Sequence, residues 1–261
     1  KWTVVGSVKK VEISPQAFHG SEVHPAFIKD GVEVAFRYYR AYKCSTDGAT
    51  ISSVSGAVPR RDTTLPAFRA IAEAKGAGWH LTDWQILNAV RLLCLVEFGN
   101  FNSQAFLGDF GGSSYISYSS LTGASNSIGK GSSTASTLGF TSYRGIENFY
   151  GQIWEFIDGI NMSDRFVYLN NDYNTFESNV FAGDYVQALG GLQPPFANRN
   201  FIKNINFGAE GFIHLEVDGS ASTYVCDSIS SGSGDTIYQH GGDAFDSINS
   251  GAFSGYASLG S

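Results

Sequence analysis

The cysteine side chains are the first candidates for chemistry in this sequence, and their spacing favours a structural role. Cys44, Cys94 and Cys226 are far apart and form no Cys-x-x-Cys pair, so neither a zinc site nor a disulfide framework is expected. Cys94 falls within an amphipathic helical pattern and Cys226 within Tyr224-Val225-Cys226-Asp227, and we expect both to be small, packed core thiols. Unpaired cysteines are typical of a protein made in a reducing cytosol, with a single disulfide as the alternative.

The other acid–base candidates also lack the spacing of a catalytic or metal site. The five histidines include no His-Glu-x-x-His pair, and no Gly-x-Ser-x-Gly elbow or phosphate-binding loop occurs. Asp158 and Asp164 could form an acid pair, but a solvated loop is the favoured interpretation. The sequence therefore predicts no catalytic residue, no metal and no cofactor.

The best candidate for binding is the segment of residues 238–256, which is rich in aromatic residues, Ser, Gly, Asn and Asp. Aromatic side chains supply contact area in antibody-like binding surfaces, and small polar side chains supply hydrogen bonds. We expect the following side chains to contact a ligand, mostly exposed on one face: Tyr238, His240, Asp243, Phe245, Ser247, Asn249 and Tyr256. Gly241, Gly242 and Gly251 should bend the backbone. The alternative is a surface loop that packs Phe253 inward and binds nothing.

Composition and charge restrict the class of protein that presents this segment. The 261 residues include 24 acidic side chains against 17 Lys and Arg, a formal charge of −7. The absence of a basic run argues against nucleic acid as a partner, and no apolar stretch is long enough to insert into a membrane. We expect one loop-rich domain over residues 1–261, with residues 1–25 as a β-rich lead-in.

Two helices are predicted to support the domain. The first, about residues 64–75, has Pro66 in its first turn. The second, about residues 82–98, starts with a capping-box pair of Thr82 and Gln85 and closes at Gly99. We expect both helices to pack on a small, twisted antiparallel sheet in an α+β fold.

Strands are predicted both before and after the two helices along the chain. Alternation of Val34, Phe36 and Tyr38 with polar residues predicts a strand with one buried face. Short strands are also expected at residues 165–170 and 212–217. Three tryptophans should be largely buried between the layers: Trp79, Trp84 and Trp154.

The Gly/Ser/Thr-rich segment of residues 108–139 separates the helices from the later strands. We interpret it as a long surface excursion within one domain, because Tyr115, Ile116, Tyr118 and Leu121 interrupt it with groups that can pack. A flexible linker between two domains is the alternative.

A Trp-Glu block follows this segment. Trp154 and Phe156 would share one face of a strand, with Glu155 on the other face. Glu155 beside apolar neighbours needs a partner if it is buried, and a glycine-rich turn or Arg144 could supply one. We favour a structural role for Glu155 over a catalytic one.

Three blocks occur in order along the sequence. The first is Lys75-Gly76-Ala77-Gly78-Trp79-His80-Leu81. The second is Gly145-Ile146-Glu147-Asn148 leading to Gly151-Gln152-Ile153-Trp154-Glu155-Phe156. The third is Gly241-Gly242 followed by Gly251-Ala252-Phe253. Taken together, these blocks resemble the formylglycine-generating-enzyme (sulfatase-modifying factor) branch of the C-type-lectin-like fold, and the first looks most like phage and prophage members related to the major tropism determinant.

The resemblance covers the chain from about His24 to its end, and two departures from the family limit what it implies. Gln152 stands where the family usually has Asn, so the resemblance does not extend to the calcium site sometimes found at this loop. The short Gly-Phe-Arg-like strand that normally closes the fold is expected to be missing, since the chain stops at Ser261.

The resemblance implies a fold and argues against the family's enzymatic activity. Enzymes of this fold use a cysteine pair shortly after the Gly-Gly segment, because a thiolate or copper-bound thiol attacks the substrate. The residues after Gly242 include no cysteine, so we expect a non-enzymatic protein. The residues 238–256 correspond to the segment that phage relatives can diversify, through a diversity-generating retroelement, and show to the host receptor.

The function expected from this resemblance is that of a phage virion protein, on a tail fibre or the particle surface, made in the host cytoplasm. It would bind a host cell-surface receptor, either protein or glycan, and would contact other virion proteins, as a homo-oligomer. A purely structural decoration or assembly module is the alternative, and a sulfatase-modifying oxidase is a third and weaker one.

Overall fold

A large β-sheet with three helices dominates the structure. The computed structural model describes residues 1–6, 8–47, 49–108, 117–127, 140–191 and 200–259. In these ranges, eight strands form one sheet and eight short strands form four two-stranded ribbons. The protein therefore has the mixed helix and sheet content predicted from the sequence, but its sheet is larger than the small one expected.

The eight-stranded sheet is built entirely from the second half of the chain. Its strands are β9 (Glu155–Ser163), β10 (Phe166–Leu169), β11 (Val186–Gly191), β12 (Asn200–Gly208), β13 (Gly211–Val217), β14 (Ser228–Ser231), β15 (Asp235–His240) and β16 (Gly255–Leu259). They lie in the order β11-β10-β9-β15-β16-β14-β12-β13, and only β14 and β16 pair in parallel. Strands β10 and β13 confirm the strands predicted at residues 165–170 and 212–217. β16 lies inside the sheet, between β14 and β15.

The remaining strands form short ribbons. They are β1 (Trp2–Val5), β2 (Val8–Val11), β3 (Ile28–Lys29), β4 (Val32–Glu33), β5 (Ser45–Asp47), β6 (Thr50–Ser52), β7 (Ser142–Tyr143) and β8 (Ile146–Glu147). The strand predicted from Val34, Phe36 and Tyr38 is wrong, because β4 ends at Glu33. Phe36 and Tyr38 are instead exposed and pack edge-to-face against each other.

Local sequence signals define the helices well. α1 (Leu65–Glu73) is capped by Thr64, whose hydroxyl accepts from the Ala67 N–H. α2 (Trp84–Phe98) ends at Gly99 in the left-handed conformation, as predicted. Its N-cap is Asp83, which accepts from the Ile86 N–H at 2.8 Å. The N-cap therefore lies one residue later than the capping box of Thr82 and Gln85 predicts. The sequence does not predict α3 (Ser103–Leu107).

The main core lies between α2 and the large sheet. It includes Trp84 and Leu87 from α2, together with Ile157, Phe212 and Tyr238 from three strands, all nearly or fully buried. Elements before and after residues 108–139 therefore share one hydrophobic cluster. Part of that segment, with Tyr115 and Ile116, lies outside the described residues. Across the described part of the chain, none of the helices combines the length and apolar character needed to cross a membrane.

Candidate functional site

Two of the predicted contact residues lie in the core. Tyr238 is only 1% exposed and His240 is fully buried, so the prediction that both side chains are exposed is wrong. β15 carries both residues and lies inside the sheet between β9 and β16. The Tyr238 ring packs edge-to-face on Trp84 at 5.4 Å, which makes it a core residue.

The other predicted contact residues lie between β15 and β16 or at the start of β16. Phe245 is 75% exposed. Asp243, Ser247, Asn249 and Tyr256 are half-buried. Of the seven predicted contact residues, Phe245 is thus the one that presents most of its side chain to solvent.

The glycines of this segment are structural, as predicted. Gly241 and Gly242 have φ values of +95° and +85°, a region that L side chains rarely adopt. A Cβ at Gly251 would overlap the carboxylate of Asp227. Phe253 is fully buried, which confirms its predicted core position.

The other motif residues have mixed positions. Asn148 is fully buried and donates to Gln152 at 2.9 Å, and Gly151 has a φ of +78°. Gly145 is exposed, with a φ of +86°. Of the three tryptophans predicted to be buried, Trp84 is buried, but Trp154 is half-buried. Trp79 is 56% exposed, with Lys75 Nζ 4.8 Å from its ring.

A buried polar network beneath this segment was not predicted. Arg91, fully buried in α2, donates to the Ala252 carbonyl at 2.7 Å and to the Tyr238 hydroxyl at 3.2 Å. Its Nη2 also lies 3.2 Å from His240 Nδ1. Burial, reinforced by Arg91, lowers the pKa of His214 to about 3 and holds that of His240 well below its usual value. Both histidines are therefore neutral, and His214 Nε2 lies 3.0 Å from the Phe253 carbonyl while His240 Nε2 lies 3.0 Å from the Phe149 carbonyl.

The partners of Glu155 differ from those predicted. Arg40 Nε donates to Glu155 Oε2 at 3.1 Å, and Arg40 Nη2 and Lys43 Nζ also contact the carboxylate. Burial alone would raise the pKa of Glu155, but the two cations hold it below its usual value. Arg144, the predicted partner, instead pairs with Glu97 at 2.9 Å. We call Arg40, Lys43 and Glu155 the charge cluster.

The charge cluster forms part of the wall of an open groove of about 1210 Å³. Other walls come from residues 36–39, the Phe68 face of α1, the loop at residues 77–82 and Trp154. Its aromatic lining includes the exposed side chains of Phe36, Tyr38 and Trp79. The sequence signal for this wall is the group of aromatic and basic residues at 36–43, of which Phe36 and Tyr38 belong to the strand predicted above.

The groove concentrates positive charge. Its lining contains three carboxylates, from Asp62, Glu155 and Asp243, and the following seven cations: Lys29, Arg37, Arg40, Lys43, Arg60, Arg61 and Lys75. The chain as a whole has a formal charge of −7. The lining thus has the opposite sign to the molecule, which favours the approach of anions to this face.

The exposed part of the 238–256 segment meets the groove at Asp243. The Tyr118 hydroxyl donates to Asp243 Oδ2 at 2.8 Å, and the Phe245 N–H donates to Asp243 Oδ1 at 2.8 Å. The rings of Tyr118 and Phe245 pack edge-to-face at 5.2 Å, and the Arg61 guanidinium lies 5.2 Å from the Tyr118 ring. We call Arg61, Tyr118, Asp243 and Phe245 the aromatic rim.

The loop that carries Tyr118 is anchored by a buried carboxylate. Glu147 Oε2 accepts from the backbone N–H groups of Gly123 and Ser125, at 3.0 and 2.8 Å, and from the Ser125 hydroxyl at 2.6 Å. Charge-assisted hydrogen bonds of this kind fix loop conformation. These bonds hold the loop at Gly123 and Ser125, and Tyr118 itself is held by its hydrogen bond to Asp243.

The described thiols and acid–base groups form no metal-binding cluster. Cys94 and Cys226 are buried, as predicted, and burial raises the pKa values of their thiols to about 12 and 11. Within the ranges that the structure describes, no group of three or more His, Cys, Asp or Glu side chains is placed to hold a metal ion. Asp158 is engaged in a two-point ion pair with Arg69, at 2.8 and 2.9 Å.

Comparison with known proteins adds no assignment to this geometry. No protein-family model matches the chain, and none of the curated proteins compared with it matches either.

Proposed function

We propose that this chain is a non-enzymatic receptor-binding domain of a phage virion, carried on a tail fibre or the particle surface. In this proposal the fold is C-type-lectin-like, of the formylglycine-generating-enzyme branch, as the sequence blocks around Trp79, Trp154 and Gly241 suggest. The partner is a component of the host cell surface. The observation that supports recognition best is the aromatic rim beside an open groove.

The aromatic rim has the chemistry of an energetic centre for binding. Exposed aromatic and arginine side chains contribute a disproportionate share of binding free energy in protein interfaces. Phe245 is 75% exposed. The Asp243 carboxylate accepts hydrogen bonds from the Phe245 N–H and from the Tyr118 hydroxyl, and so orients both aromatic residues. A side chain that is exposed but already oriented loses little conformational entropy on binding.

The groove supplies a concave surface next to this rim. Its volume of about 1210 Å³ exceeds the ~300–1,000 Å³ of typical small-molecule sites. A groove of this size accommodates an extended ligand such as a surface polysaccharide or a loop of a surface protein. Recognition then requires shape, hydrogen bonds and charge, and uses no cofactor.

The proposal is tested by binding of the fluorescently labelled chain to a panel of intact bacterial strains. We expect saturable binding to a subset of strains, and competition by the unlabelled chain. Phe245→Ala and Tyr118→Ala should weaken binding to these strains about ten-fold or more, as expected for aromatic contact residues.

The matched control is Phe166→Ala. Phe166 is also an exposed aromatic residue, but it lies at the start of β10 and does not line the groove. We expect this variant to bind like the unchanged protein. Binding to no strain, or equal losses for the Phe166 and Phe245 variants, would refute the proposal.

A further inference from the structure

Two cations share one carboxylate in the charge cluster, in a nearly dry environment. The side chains of Arg40, Lys43 and Glu155 are 9%, 1% and 11% exposed. Lys43 Nζ also donates to the Ile153 carbonyl at 3.2 Å, and that carbonyl carries no net charge. One positive charge in the cluster is therefore not neutralised by Glu155. Burying such a charge is unfavourable unless another anion approaches.

The unused hydrogen-bonding capacity of the cluster lies on Arg40. Its Nε and Nη2 both donate to Glu155, whereas its buried Nη1 has no hydrogen-bond partner. A guanidinium has five N–H donors in a fixed plane, so two donors remain on Nη1 for an incoming acceptor. Arg40 lines the groove, but Nη1 itself has almost no solvent-accessible surface, so a ligand reaches this nitrogen only after neighbouring side chains of the groove wall rotate aside.

The groove around Arg40 combines positive charge with exposed aromatic rings. Trp79, Phe36 and Tyr38 are 56%, 64% and 87% exposed. The C–H faces of a sugar ring pack on such rings, and its hydroxyls bond to neighbouring polar groups. A long polyanion such as nucleic acid is disfavoured, because the molecule as a whole is acidic.

We propose that the groove binds an acidic glycan, in which the carboxylate of a uronic or sialic acid accepts hydrogen bonds from Arg40 Nη1 and the sugar ring packs on the exposed aromatic wall. This inference rests on the proposed function, since it names the chemical class of the host surface component. Carboxylates pair well with guanidinium groups because both are planar and charged. A ligand carboxylate would gain binding free energy at Arg40 Nη1, because this buried charged donor has no hydrogen-bond partner in the free protein.

Two variants with the same change in charge isolate the role of Arg40. Arg40→Gln leaves Lys43 to neutralise Glu155, and Lys43→Met leaves Arg40 to do so. Each variant retains one cation for the carboxylate, so both are expected to fold. Only Arg40→Gln removes the unpartnered donor.

The probes are trigalacturonic acid and sialyllactose, compared with the neutral trigalacturonic methyl ester and lactose, in calorimetric titrations. We expect at least one acid to bind about ten-fold or more tightly than its neutral counterpart. Arg40→Gln should remove this preference, Lys43→Met should reduce it only about two- to three-fold, and Trp79→Ala should weaken both acidic and neutral sugars. Added salt should weaken the acids selectively.

The outcomes separate this inference from the proposed function. Equal binding of acids and neutral sugars, binding of neither, or equal effects of the Arg40 and Lys43 variants would overturn the acidic-glycan site. If the chain still binds cells through Phe245, the proposed function stands without it. If the acids bind through Arg40 but no strain is bound, the site stands and the proposed host recognition fails. Should Arg40→Gln not fold, loss of acid preference in Arg40→Lys supports the site and an unchanged preference overturns it, because Lys lacks the forked donors.

Discussion

Substitution of Tyr238 by Ala should strongly destabilise the protein, although the residue lies in the segment predicted from sequence to be a display surface. The Tyr238 side chain is 1% exposed and packs on Trp84 at 5.4 Å. Truncating a buried aromatic residue to Ala costs ~3–5 kcal/mol through lost burial and the cavity that remains. Loss of the hydroxyl adds about 1 kcal/mol, since Arg91 Nη2 keeps His240 Nδ1 within 3.2 Å.

The total of about 4–6 kcal/mol is comparable to the ~5–15 kcal/mol stability of typical proteins. Urea denaturation followed by tryptophan fluorescence measures this loss directly. Tyr238→Phe removes only the hydroxyl that accepts from Arg91, so it should cost about 1 kcal/mol. Phe245→Ala, at a site 75% exposed, should change the free energy of unfolding by less than ~0.5 kcal/mol. If Tyr238→Ala unfolded at the same urea concentration as the unchanged protein, the position assigned to β15 in the core would be wrong.

Three further predictions concern the buried groups around the site. Gly251→Ala should destabilise the protein by ~1–3 kcal/mol, because the added Cβ would overlap the Asp227 carboxylate. The control is Gly208→Ala, which has open space around the added Cβ and should leave the thermal denaturation midpoint nearly unchanged. Glu155→Gln should lower the free energy of unfolding by ~3–5 kcal/mol, because it leaves two buried cations unpaired. Lys43→Met should lower it by less than about 1 kcal/mol, because Arg40 still neutralises Glu155. Equal losses for the two variants in urea denaturation would contradict this description of the charge cluster. Acid should destabilise the protein as the pH falls below 6.5, because burial lowers the pKa of His214 to about 3 and that of His24 to about 4, so the unfolded chain takes up protons first. Burial raises the pKa of Asp227 to about 7, which acts in the opposite direction but is outweighed by the two histidines together. His214→Gln should flatten this fall between pH 7 and 5, and an unchanged slope would count against the assignment.

Local signals in the sequence were sufficient for the helices and for several buried groups. The periodicity of α2, the left-handed Gly99 and the Thr64 cap are all encoded within a few residues of where they act. Burial of Cys94 was predicted for the same reason, since it lies within the helical pattern. Such features depend on backbone geometry and neighbouring side chains, so a single sequence specifies them.

The position of β15 could not be read from its composition. Tyr238 and His240 belong to a Gly- and Ser-rich segment that resembles an exposed loop. Their burial arises from pairing with β9 and β16, and from Arg91, which is 147 residues from Tyr238 along the chain. Strand neighbours of this kind depend on tertiary context, which overrides local propensity.

The charge cluster was missed for a similar reason. Arg40 and Glu155 are 115 residues apart, so no local spacing links them. Arg144 was the nearer cation in sequence, but it contacts Glu97 instead. The basic and aromatic residues at 36–43 were a signal for a binding wall, yet the alternation of Val34, Phe36 and Tyr38 with polar residues also fits a strand with one buried face.

The most direct test of the central claim, that the aromatic rim contacts a host surface component, is photo-crosslinking on bacterial cells. A photoreactive aromatic amino acid replaces Phe245 in one variant and Phe166, the exposed position at the start of β10, in another. After irradiation on strains that bind the chain, position 245 should crosslink to a cell-surface component and position 166 should not. Crosslinks from position 166 but not from position 245, or equal crosslinking from both, would contradict recognition through the aromatic rim.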